Sequence, residues 1–188
     1  MSINPWHPWH SIHYGKKSPH IVTALIEIPK GTKNKYEIDK HSGLLFLDRV
    51  MSSPVFYPVN YGFIPQTYCD DGDALDIMVL GQESAQPMCL MNAKVLGYMK
   101  MIDGGESDDK IIAVHADDPQ FKHIETLDDL KKANPHILTE IEQFFKIYKL
   151  LDKKNVEVNG WFGKQEAEKV ILQSIELYTK NKTELLNG

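Results

Sequence analysis

The sequence predicts one α+β domain over residues 1–188, a closed or nearly closed barrel of short strands backed by C-terminal helices. Three observations predict it. Over the first two-thirds, aliphatic and β-branched runs alternate with turns bearing Gly, Pro, Asn and Asp. The intervals between those runs leave no room for the crossover helices of a large parallel sheet. In the final third the apolar spacing changes from strand to helix period. With 188 residues, 42% of them hydrophobic and 25% charged, the chain can fill one core without disulfides or structural metal, and no repeat or linker divides it.

The elements follow in order. "HIVTALIEI" (20–28) is a strand closed by Pro29. "KYEI" (35–38) and "LLFLDRV" (44–50) form two more, joined by the turn "DKHSG". "VFYPVNYGFIP" (55–65) is extended but broken by Pro58 and Gly62, so it yields strand pieces and a structured loop. "LDIMVL", "CLMNAKVLGYMKM" and "KIIAVHA" complete this set. Thr126-Leu127-Asp128-Asp129 resembles a capping box before a short helix. Asn134-Pro135 reads as the cap and first position of a second, whose Ile137, Leu138, Ile141, Phe144, Phe145, Tyr148 and Leu151 form one apolar stripe. "NVEVNGWFG" is a last strand and turn, and residues 164–180 are an amphipathic helix.

The formal net charge of −5 argues against general affinity for nucleic acid or anionic membrane. No run approaches the roughly 18 apolar residues that span a bilayer. "MSINPWHPWHSIHYGKK" has no basic segment followed by an apolar stretch, so no secretory signal is read there. Its His7, His10 and His13 are evenly spaced, but Pro8 interrupts the helix that would align them. Trp6 and Trp9 pack either on the barrel or on a neighbouring subunit. Cys69 and Cys89 match no zinc spacing and form no C-x-x-C pair; a reduced, cytoplasmic chain is the simpler reading, with a disulfide left open.

Chemistry concentrates in "CDDGDALDIMVL", where Asp70, Asp71, Asp73 and Asp76 crowd together just before an apolar run. Close carboxylates raise one another's pKa unless a cation sits among them. The segment is either a solvated turn or a cation site. An EF-hand does not fit: counted from Asp71, positions 5, 6 and 12 are Leu75, Asp76 and Gln82. Glu27 inside an apolar strand, Glu37 in another, and "MIDGGESDDK" with Asp103, Glu106, Asp108 and Asp109 could share the same barrel mouth. Oxygen-only ligands suit Mg²⁺, Mn²⁺ or Ca²⁺. Arg49, the sole arginine, is either a guanidinium fork for phosphate or the surface partner of Asp48 or Asp39. Lys35, Lys110 and Lys149 are further cations, and Tyr57, Tyr61 and Tyr148 carry hydroxyls that could donate to an oxyanion. Together they form a kit for metal-assisted phosphoryl transfer. No P-loop, nucleophile elbow or dinucleotide fingerprint competes with it.

The segments "ALIEIPKGTKNKYEIDK", "FYPVNYGFIPQT", "DDGDALDIMV", "VLGYMKMIDGGESDDKIIAV" and "FFKIYKLLDKKNVEVNGW" resemble, in order, those of the soluble family I inorganic pyrophosphatases. The family's Asp-x-Asp-Pro-x-Asp signature is represented by Asp71, Asp73 and Asp76, with Ala74 where proline usually stands. That exchange keeps the carboxylates and removes a φ constraint. The resemblance implies a five-stranded, OB-like barrel with flanking helices. It implies hydrolysis of inorganic pyrophosphate to two phosphates by metal-activated water, without a covalent enzyme intermediate. It implies several Mg²⁺ ions, with Mn²⁺ or Zn²⁺ as substitutes, held by Asp71, Asp76, Asp103 and Asp108 with Glu27 and Glu37 nearby. By the same resemblance Asp73 is the general base, Lys35, Arg49, Tyr148 and Lys149 hold the phosphates, and Tyr61 orients the nucleophile. A homohexamer is the expected assembly. An inactive scaffold relative and a nucleic-acid-binding barrel with "FYPVNYGF" as stacking aromatics are the rival readings, the second opposed by the acidic charge.

Overall fold

A computed structural model describes residues 6–187, the side chain of Asn187 excepted. Its strands are β1 (Ile21–Ile28), β2 (Asn34–Ile38), β3 (Leu45–Val50), β4 (Asn60–Phe63), β5 (Asp76–Leu80), β6 (Leu90–Asp103), β7 (Glu106–Ser107), β8 (Lys110–His115) and β9 (Val156–Gly163). The helices are α1 (Pro8–Ser11), α2 (Leu127–Ala133), α3 (Ile137–Ile147) and α4 (Lys164–Asn187).

Seven strands form one mixed sheet in the order β1-β4-β5-β8-β6-β7, with β9 added to β6. Because β1 pairs with both β4 and β6, the sheet is strongly curled and its pairings return to their start. The pair β5–β8 is parallel, Asp76 opposite Lys110, and the connection runs through β6 rather than through a crossover helix. The arm β2–β3 stands as a separate two-stranded sheet.

Both faces of β5 and β8 are buried, which is why "IMVL" and "IIAV" are continuous apolar runs without alternation. Ile77, Val79, Ile111 and Ala113 join a cluster that includes Ala167 and Ile171 of α4. Met78, Leu80, Ile112 and Val114 join another that includes Leu127 of α2 and Ile141, Phe144 and Phe145 of α3. Each fully buried aliphatic side chain contributes about 1.5–3 kcal/mol, so the stripe of α3 suffices to fasten that helix. At Gly62 on β4, a Cβ would lie 1.8 Å from the Leu25 carbonyl oxygen of β1. The strands meet there beside an irregularity in β1 between Ile26 and Ile28, and only glycine permits the approach.

Four expectations need correction, one being Leu151 as a member of the α3 stripe: α3 ends at Ile147, and Leu151 lies beyond it, exposed. Asn134 does not cap α3: its N–H donates to Leu130 O at 2.8 Å, closing α2, and His136 is the cap of α3 without a side-chain hydrogen bond. Pro135 disfavours the α region for the residue before it, so Asn134 (φ −141, ψ 87) ends one helix and the next begins beyond the proline. Pro8 does not break the N-terminal helix but starts it, at a position whose N–H would have no helical partner. Residues 164–180 underestimate α4, which runs to Asn187. The Thr126–Asp129 capping box is present, each side chain bonded to the other's backbone N–H at 3.1 Å. Trp9 packs on its own chain, with Leu25, Phe63 and Tyr178.

Candidate active site

The arm β2–β3 brings cations to one wall. Lys35 and Glu37 are two apart on β2 and so share a face, and Lys35 lies opposite Arg49 of β3. Asp48 ties the two together: its Oδ2 accepts from Arg49 at 2.5 Å and from Lys35 at 3.4 Å. Lys35 also bonds Glu37. Glu27 on β1 is buried, and its Oε1 accepts the Ile38 N–H at 2.8 Å, anchoring the end of the arm. Burial pushes the Glu27 carboxyl up to about 8, the Ile38 bond opposing and the charges of Asp76 and Glu37 adding.

Carboxylates form the facing wall. Asp76 opens β5 and Lys110 opens β8, side by side in parallel register. The Lys110 ammonium is almost fully buried, 2.6 Å from Asp76 Oδ2 and 2.7 Å from Asp108 Oδ1, with the rings of Tyr61 and Phe145 each 5.6 Å away. Burial alone would lower its pKa, but the two carboxylates outweigh it and hold the ammonium charged. Asp71 is pushed up to about 6 by burial, then by Asp108, Asp76 and Asp73, although its Oδ1 accepts the Asp73 N–H at 3.1 Å. Asp73 is half-exposed and sits 2.5 Å from Lys40.

The end of α3 supplies the third side. Tyr148 donates to Asp103 Oδ2 at 3.4 Å, and Lys149 pairs with the same oxygen. Burial drives the hydroxyls of Tyr57, Tyr61 and Tyr148 upward, so all three stay protonated and able to donate.

Of the candidate site residues selected from sequence, all but Arg49, Asp70 and Asp109 line one cavity of 450 Å³. Arg49 lies beside it, its guanidinium turned onto Asp48. Sequence reasoning missed Lys40, which reaches the acidic loop from the "DKHSG" turn, and gave no cavity role to His7 or Trp9, which also line it. Nothing in the local pattern marks Lys40; the Trp and His content of the N-terminus was the available signal. Among the described residues no three carboxylates, imidazoles or thiols form a ready metal cluster, and lysine ammoniums sit on Asp76, Asp108 and Asp103. The donor set is nonetheless oxygen-only, and the crowding that raises Asp71 is what a hard divalent cation relieves. Also among the described residues, no helix is long and apolar enough to cross a membrane.

The sequence model of inorganic pyrophosphatase matches residues 24–179, most of the chain. The chain belongs to the inorganic pyrophosphatase family. Soluble inorganic pyrophosphatase 2 of Chlamydomonas reinhardtii is 50% identical over 175 residues, covering 93% of this chain and 90% of the relative. A soluble inorganic pyrophosphatase of Oryza sativa subsp. japonica is 48% identical over 172 residues, 92% of this chain and 79% of its own. The crystal structure of inorganic pyrophosphatase from Thermus thermophilus superposes with a TM-score of 0.87 at 36% identity, covering 92% of this chain and 99% of that one. Type I inorganic pyrophosphatase from Toxoplasma gondii also gives 0.87, at 28% identity over 93% of this chain and 88% of its own. Enzymes of this family hydrolyse pyrophosphate to phosphate, and the cavity between the cationic arm and the acidic loop is the candidate place for that reaction in this pyrophosphatase.

Proposed function

We propose that the chain hydrolyses inorganic pyrophosphate to two phosphates by direct attack of water in the 450 Å³ cavity, with Mg²⁺ held by Asp71, Asp76, Asp103 and Asp108 and with Glu27 and Glu37 close by. The observation that carries the reading is the opposition of lysines and carboxylates across one cavity in a chain of this family. Bound there, Mg²⁺ or a substitute such as Mn²⁺ or Zn²⁺ supplies positive charge for the phosphoryl oxygens and acidifies water.

The chain's own residues do the remainder. Lys35 and Lys149 face the cavity with ammoniums that can exchange carboxylate partners for substrate oxygens. Arg49 grips a phosphate bidentately once its guanidinium turns from Asp48. Tyr148 and Tyr61, kept protonated by burial, donate to oxygens that gain charge, and Tyr61 orients the attacking water. Asp73, open to solvent at 56% and free of the Lys110 pairings, accepts the proton of that water. No covalent enzyme intermediate is required.

The ring of pairings among β1, β4, β5, β8 and β6 supports reading the sheet as a five-stranded, OB-like barrel. Exposed Leu44, Phe46 and Val50 on and beside β3 support an assembly larger than a monomer, of which the hexamer is our expectation. The two free thiols support a cytoplasmic location.

Phosphate release from pyrophosphate by wild type and Asp73→Asn, with Mg²⁺ and with EDTA, tests the reading. Release that needs Mg²⁺ and falls by about 10²-fold or more in the variant is expected for loss of a general base. Wild-type release that persists in EDTA overturns the metal assignment. A fully active Asp73→Asn overturns the base.

A further inference from the structure

The N-terminal segment has a bonding pattern that the reaction does not explain. His7 is 1% exposed, and its Nδ1 accepts the Trp9 N–H at 3.2 Å. The proton of the neutral ring is therefore on Nε2, which donates to Asp39 O at 3.2 Å. Asp39 follows Ile38, the residue whose N–H is taken by Glu27, and precedes Lys40, which reaches Asp73. Gly43 of the same turn, at φ +71, packs so closely that a Cβ there would lie 2.8 Å from Pro8 Cδ and 3.1 Å from His7 Cδ2.

The other side of the segment is bonded to the base of the acidic loop and to α4. Trp9 Nε1 donates to Thr67 O at 2.8 Å, and the Thr67 hydroxyl in turn accepts the Leu75 N–H at 2.9 Å, one residue before Asp76. Gln66 N–H donates to Trp9 O at 2.8 Å, and its amide donates to His10 O at 2.9 Å. His10 Nδ1 meets the Tyr178 hydroxyl at 2.9 Å.

We infer that residues 7–10 are a brace that fixes the β2–β3 arm at its working distance from the acidic loop, with His7 as the positioning residue. The arm belongs to a separate sheet, so its approach to the carboxylates rests on such cross-links rather than on a shared ladder. His7 touches neither reacting atom nor phosphate in this role; it acts through the Asp39 carbonyl. The inference rests on reading Lys35 and Arg49 as the phosphate grip.

The test compares wild type, His7→Ala, His7→Gln and Arg49→Ala by steady-state hydrolysis and by amide hydrogen exchange. One lost hydrogen bond predicts that His7→Ala raises KM for pyrophosphate about three- to tenfold, and kcat stays within about twofold, as for a binding defect. Amides of residues 34–38 and 45–50 exchange faster in His7→Ala while those of β5 and β8 do not change. His7→Gln, whose amide can donate to Asp39 O, restores both. A folded His7→Ala with unchanged KM and unchanged arm exchange overturns the brace. If Arg49→Ala leaves KM unaltered, the grip reading fails instead, and the exchange data still decide the brace. Should His7→Ala not fold, Pro8→Ala removes the ring that rests on Gly43, adding an N–H at a helix position that needs no helical partner, and faster exchange of residues 41–45 is the result that sustains the inference; no change overturns it.

Discussion

Lys110 keeps a full charge away from water because two carboxylates meet it within hydrogen-bonding distance. Its replacement by methionine leaves Asp76 and Asp108 facing each other in a buried wall. Removing one partner of a buried ion pair costs about 3–5 kcal/mol, so urea unfolding of Lys110→Met in EDTA should show a loss of that size. A loss under about 1 kcal/mol would mean that the carboxylates relieve each other by taking up a proton. The residue scale was also where sequence served best. Asp71, Asp73 and Asp76 are legible because they crowd a few positions before an apolar run, and Glu27 because it interrupts one. Lys40 was illegible because its partner, Asp73, lies far along the chain and joins it only through the folded arm. Arg49 was legible as a lone guanidinium, but both of its readings survived in sequence, and in the structure it holds Asp48 beside the cavity.

Elements are read from spacing, and spacing is reliable where one face alone is buried. The stripe of α3 marks that helix clearly, yet its start was misplaced because Asn134 has the chemistry of a cap at either end of a helix. The two-residue β7 was missed because a pair so short carries no periodicity; only the Gly104-Gly105 turn hints at it. The role of Gly62 belongs to this scale, since its cause is the neighbouring strand. Gly62→Ala would place a methyl 1.8 Å from the Leu25 carbonyl oxygen, so β1 and β4 must part. Forced overpacking of this kind typically costs about 1–3 kcal/mol, and more where the obstacle is backbone. A thermal midpoint within about 2 °C of wild type would show that the strands can separate freely.

On the scale of the whole molecule, short strands joined by turns point to a closed or nearly closed sheet, but which strands pair is not legible, because apolar runs announce strands and not their partners. β6 is long enough to serve β1, β8 and β9 at once, and that sharing curls the sheet. Global stability should also carry a signature of the N-terminal segment. Burial, then the charges of His7 and Lys182, push His10 from 6.5 down to about 4. Between those values the unfolded chain binds more protons than the folded one, so this group's contribution to stability falls as pH drops from about 6.5 to about 4. Asp71, raised to about 6, acts in the opposite sense, so the comparison needs a variant. His10→Asn should melt below wild type at pH 7.5, with the gap closing toward pH 4; a gap that stays constant would remove His10 from the account.

The interposed ammoniums have one more consequence. Lys110 on Asp76 and Asp108, and Lys149 on Asp103, give the acidic wall counterions that belong to the polypeptide. Such a wall need not fly apart when its proposed metal is withdrawn. On the proposed reading, chelation stops turnover and leaves the fold standing, so activity returns when the ion is restored.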